Sequence, residues 1–156
     1  MNKDNRSSLG AYTVISLSST QAENVGSLII DTANYNALFF VMTMQSISAG
    51  HSVSFVRLDQ ADEFQLNNAG TGYELKDPEE VPEDQLFAQN GLKGANAVAA
   101  FQVASGETDK APTLGVFGNK RYLRLYIQGS SGITWTGSVN IFADELIVPV
   151  IASDAE

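Results

Sequence analysis

Between residues 118 and 143 the chain reads GNKRYLRLYIQGSSGITWTGSVNIFA, two alternating stretches around a turn of Gly and Ser. Leu123, Leu125 and Ile127 share one face while Tyr122, Arg124, Tyr126 and Gln128 share the other, the period of two of a half-buried strand. Val139 and Ile141 repeat the pattern in the second stretch. Gly129, Ser130, Ser131 and Gly132 supply the backbone freedom of a reversal, so a β-hairpin is expected here.

Shorter runs of the same kind lie at residues 12–18, 27–32 and 113–117. Residues 37–47, ALFFVMTMQSI, are apolar at both parities, which predicts a central strand covered on both faces. In residues 51–58, Val53 and Phe55 share one face and Ser52 and Ser54 the other; Arg57 ends the first face and Val56 crosses to the second. From 59 to 94 periodicity fades into glycines, asparagines and an acidic segment at 74–84, a long irregular loop with room for one short helix at 82–90, capped by Gly91. Residues 97–104 suit a helix by their alanines and a strand by the alternation of Phe101 and Val103; a strand is expected. Near the end, apolar positions shift phase from Val139, Ile141 and Ala143 to Leu146, Val148 and Val150, which requires a bulge or kink at Asp144 and Glu145. The expected architecture is all-β: a flexible arm at 1–10, one antiparallel, jelly-roll-like β-sandwich at 11–150, and a tail at 151–156.

At 156 residues the chain can bury a core unaided, and it has no cysteine for disulfides, thiolate metal sites or nucleophilic catalysis. Nine basic against eighteen acidic residues give a charge of −9, which disfavours nucleic acid as a partner. The one tight basic group, Lys120, Arg121 and Arg124, is divided, because Arg121 and Arg124 fall on opposite faces of a strand. Neither a signal-peptide core nor a membrane-length apolar run is seen, so production in a cytoplasm is expected.

Candidate chemistry is sparse. His51 is the one histidine and reads as a strand-end surface residue; no serine sits in a G-x-S-x-G setting. Asp59, Asp62, Glu63, Glu74, Asp77, Glu79, Glu80, Glu83 and Asp84 offer carboxylates, but their spacing matches neither a catalytic pair nor a calcium loop. Gly70 with Gly72 and Gly91 with Gly94 lack the rest of a phosphate-binding loop. Trp135 and the tyrosines suit either a sugar-stacking platform or core packing. No enzyme activity, cofactor, metal or small-molecule substrate is expected.

The order GSLIIDTANYNALFFVMTM, HSVSFVRLDQAD, an irregular acidic middle, GNKRYLRLYIQ and GSVNIFADELIVPV resembles the head decoration, or cement, proteins of tailed bacteriophages. The Gly-x-Lys-Arg-Tyr-Leu-Arg-Leu element is the most telling part, and the likeness spans most of residues 12–150. The resemblance implies a non-enzymatic virion protein that binds the outer capsid surface, bridges major capsid subunits and assembles with itself as a trimer or dimer, in the host cytoplasm and then on the virion. Asn2, Lys3, Asp4 and Arg6 of the arm, Glu74, Glu79 and Glu80 of the acidic loop, and Arg121 and Arg124 are the expected contacts. A carbohydrate-binding jelly roll of a virion fibre or tail is the alternative.

Overall fold

Eight main strands form nested antiparallel pairs in a computed structural model, which describes residues 10–17, 24–33, 38–88, 90–117, 120–143 and 150–151. In chain order the strands are β1 (Gly10–Leu17), β2 (Val25–Gly26), β3 (Ile29–Asp31), β4 (Leu38–Ile47), β5 (Ser52–Ala61), β6 (Phe64–Leu66) and β7 (Tyr73–Leu75). There follow β8 (Glu79–Glu80), β9 (Leu86–Phe87), helix α1 (Ala95–Ala100), β10 (Gln102–Ala104), β11 (Thr113–Val116), β12 (Tyr122–Gly129), β13 (Trp135–Ala143) and β14 (Val150–Ile151). One sheet has the order β1-β13-β4-β11-β9; the other runs β10-β5-β12-β3-β14, with β2 added on β12 and β8 on β5. The pairs β1 with β13, β3 with β12, β4 with β11 and β5 with β10 join the first main strand to the last and work inward. That nesting, wound into two layers, is the jelly roll.

The tip of the nest, between β5 and β10, is where chain can be added without unthreading any pair, and the irregular middle of the sequence sits there. It is more ordered than its composition suggests. β5 runs on to Ala61, β6 and β7 make a small hairpin, and β8 returns to pair with β5 at Asp59 and Gln60. Strands of two or three residues are too short to show a period.

Between the main sheets lies one core containing Phe40, Phe101, Leu123, Leu125, Ile127, Val139 and Ile141, with Trp135 fully buried among them. Each such side chain contributes about 1.5–3 kcal/mol by leaving water.

Several expectations from the pattern change. β12 and β13 do not pair with each other: the turn after Gly129 carries the chain from one sheet to the other. Ser130 N–H donates to Ser52 O and Thr134 N–H to Ser48 Oγ, lashing this arch to the β4–β5 arch beside it. Alternation states which residues face the core, and both strands of a hairpin or of an arch satisfy it. β4 is covered on one face: Leu38, Phe40, Met42 and Met44 are buried, while Phe39 and Val41 are half-buried and Thr43 and Gln45 exposed. Residues 95–100 are helical, with Ala97 buried against the core, and only 102–104 are strand. At 82–90 the helix is a single 3₁₀ turn, Glu83–Gln85, because Leu86 and Phe87 are drawn out to pair with β11. The crossing at Val56 is a β-bulge: Arg57 faces Tyr126 and Phe55 faces Ile127, leaving Val56 as the extra residue. The phase change at Asp144 and Glu145 lies outside the described residues, and β14 beyond it joins the opposite sheet, on β3.

Candidate docking surfaces

The two sheets present unlike outer faces. None of the five strands β1, β4, β9, β11 and β13 contains an Asp, Glu, Lys, Arg or His, in a chain of net charge −9. Thr13, Ser16, Thr43, Gln45, Ser138 and Asn140 make the polar part of that face. Its apolar part is a row of rings. Register places Phe142 of β13, Phe39 of β4, Gly115 of β11 and Phe87 of β9 side by side. Phe39 meets Phe87 edge to face at 5.2 Å, and Phe87 stacks on Phe117 at 4.6 Å. Gly115 makes this possible, since a Cβ there would lie 2.4 Å from the Phe87 ring. Phe117 and Phe142 remain 57% and 38% exposed.

Charged and hydrogen-bonded groups cover the outer face of the other sheet. Arg57 lies over the Tyr126 ring at 4.0 Å and binds Asp59 through Nε at 3.0 Å; Arg124 also approaches Tyr126, at 5.2 Å. Further along, Ile29, Ala61, Leu75 and Tyr122 form a second small core under Phe64. The β6–β7 hairpin is the lid of that core. Phe64 contacts both Tyr122 and Tyr73 edge to face, at 5.1 and 5.4 Å.

At the hairpin tip the backbone is tied by Asn67 N–H to Gly72 O, Gly70 N–H to Asn67 O, and Thr71 N–H to the Asn67 Oδ1. Near its base Lys76 Nζ binds Glu63 at 2.9 Å, which holds the Glu63 carboxyl below its ordinary value. On this fixed frame the cross-strand pair Leu66 and Tyr73 stands 58% and 38% exposed.

The residues expected to make contacts separate. Asn2, Lys3, Asp4 and Arg6 lie outside the described residues. Glu74 accepts a hydrogen bond from Gln65; Glu79 accepts one from Gln60 and pairs with Lys120 at 3.3 Å; Glu80 is exposed beside it. Arg121 grips Asp31 with two bonds of 3.0 and 2.9 Å, and this pairing keeps the Asp31 carboxyl below its usual range. Arg124 is buried, its Nε donating to Ser27 O at 2.9 Å and its guanidinium lying flat over Gly26, where a Cβ would come within 2.7 Å. It braces the fold. The Leu66–Tyr73 tip and the phenylalanine row were missed by sequence reasoning: single aromatic letters carry no face until the register is known.

His51 has a structural contact. His51 Nδ1 lies 3.0 Å from Ser130 Oγ, and that oxygen also accepts the Ser52 N–H, so the pair pins the two arches together. Among the described residues no group of three His, Cys, Asp or Glu converges on a metal geometry. An open depression of about 450 Å³ beside β9 and α1 is lined, among the described residues, by Ala88, Asn90, Ala100, Ala111, Pro112 and Thr113, none of them ionisable. Among the described residues no helix is long and apolar enough to cross a membrane. Comparison with known proteins finds no family model that matches the chain, and no curated protein or solved structure similar to it.

Proposed function

We propose that the chain is a non-enzymatic structural protein of a tailed-phage virion, a decoration protein that binds the outer surface of the head and bridges major capsid subunits. The observation that carries this reading is the β6–β7 hairpin, a tied, rigid element that leaves Leu66 and Tyr73 in solvent. Large apolar side chains on a preorganised frame favour a protein partner, since little ordering entropy is lost on docking. An acidic clamp suits the outside of a shell, where its charge does not oppose packaged phosphates. Repetition by capsid symmetry then turns modest contacts into firm attachment. The arm at 1–10, with Asn2, Lys3, Asp4 and Arg6, is the second contact in this reading, and Glu80, exposed beside the ion-paired Glu79, the third.

The carbohydrate-binding alternative drew on Trp135 and the tyrosines; Trp135 is fully buried and offers no platform to a sugar, while Tyr73 is exposed at the hairpin tip.

The test is co-sedimentation with heads assembled without this protein. Saturable binding is expected, with a rise in the temperature at which the heads rupture. Leu66→Asp combined with Tyr73→Asp should weaken binding by about tenfold or more, each tenfold step corresponding to 1.4 kcal/mol. Wild-type protein that stays in the supernatant at micromolar concentration overturns the reading.

A further inference from the structure

We infer that the uncharged outer face of the five-stranded sheet is an interface between two copies of this chain, meeting face to face about a twofold axis. Charge selects the occupant. A copy approaching over the other sheet sets Asp62, Glu79 and Glu80 against their equivalents or against other carboxylates of a molecule carrying −9. A copy approaching over β1, β13, β4, β11 and β9 brings no charged strand residue into the contact. Two such faces meet without repulsion and without burying an unpaired ion. A partner of basic chemistry would instead be drawn to the acidic side.

Composition and size agree with that occupant. Protein interfaces are marked by charge depletion and aromatic enrichment at the centre, with a polar rim. Here Phe39, Phe87, Phe117 and Phe142 form the aromatic part, and among the described residues charge is met at the edge, where Lys93 bridges to Phe87 and Glu83 and Asp84 precede β9. Five strands about 4.8 Å apart, the longest reaching about 34 Å, span on the order of 500 Å² once the short β9 and β11 are allowed for. With side-chain relief this approaches the roughly 800 Å² per partner of a standard interface. Twofold packing of a sheet on its own copy also lets Thr, Ser and Asn side chains find partners across the join.

The experiment is sedimentation equilibrium of the full chain across the micromolar range. The expected species is twice the 16.7 kDa of one chain, and added salt should strengthen it by screening the like charge of the two bodies. Phe142→Asp should raise the dissociation constant about tenfold or more. Thr43→Glu, an exposed position on the same face, should do likewise while leaving circular dichroism and melting of the monomer unchanged, which separates interface from folding. Leu66→Asp should leave association intact. A wild-type chain that remains monomeric throughout overturns the inference, as does a dimer insensitive to both Phe142→Asp and Thr43→Glu. Capsid binding is scored separately: a monomer that still decorates heads sinks this inference alone, and a dimer that never binds heads sinks the decoration reading alone.

Discussion

β4 and β5 are both ten residues long and both run inside their sheets, yet β4 holds no charge and β5 holds Arg57 and Asp59. The difference follows from what lies outside each. Against β3 and β12 the chain returns as the β6–β7 hairpin, and β8 extends the sheet beside β5; charged side chains on this side are paired, Arg57 with Asp59 inside β5, Arg121 with Asp31 of β3, and Lys120 with Glu79 of β8. Over β4 and β13 no described element returns, and the rings of Phe39, Phe87 and Phe117 lie against one another instead. One face is therefore bound up in the fold, and the other is the face we propose for association.

Substitutions can break or sharpen this contrast. Arg124→Ala should cost the most on the charged side, about 2–3 kcal/mol in urea unfolding, because it removes the buried Nε–H bond to Ser27 O and opens space above Gly26. Within the five-stranded sheet the comparable loss lies at a core-facing glycine. Gly137→Ala sets a Cβ against the buried Met44 Sδ and 2.7 Å from Thr43 O at the β13–β4 bulge and should cost about 2 kcal/mol, read by the same unfolding curve. Phe117→Ser removes a half-exposed stacked ring and should cost about 1 kcal/mol or less in stability while weakening association further.

Asp31→Asn tests the pairing by pH. The folded-state pKa of Asp31 is depressed, chiefly by its bonds to Arg121, so its stabilisation is fully present above the unfolded carboxyl value. It fades as pH falls below about 4 through the lower folded value. The variant should melt lower at neutral pH and show a smaller further loss on acidification; an identical acid profile would mean that the pair contributes nothing. The smallest effect belongs to Thr43→Glu, which should move monomer stability by about 0.5 kcal/mol or less. If it instead destabilises the monomer strongly, the five-stranded face is part of the fold and the contrast fails.

Much of the sandwich was legible because side chains alternate along a strand, so Leu123, Leu125, Ile127, Val139 and Ile141 announce a core face wherever the strand is placed. The bulge at Val56, by contrast, shows only in the pairing of Arg57 with Tyr126 and of Phe55 with Ile127. Less was legible where a neighbour overrode local preference: Leu86 and Phe87 are extended because β11 pairs with them. Among the expected contact residues, alternation put Arg124 on the face of Tyr122 and Tyr126, and its place above Gly26, 98 positions earlier in the chain, is what buries it.

By itself the sequence determined that the chain would be β-rich, self-sufficient in core and acidic, since period, apolar content and charge are local or summed properties. Only the tertiary structure decided which strands share a sheet. Antiparallel partners are chosen by pairing across long separations, Gly10 with Ala143 and Ile30 with Leu123, and such a choice leaves no local mark. That choice gathered five uncharged strands on one side of the molecule and set Arg57 with Asp59, Arg121 with Asp31 and Lys120 with Glu79 on the other.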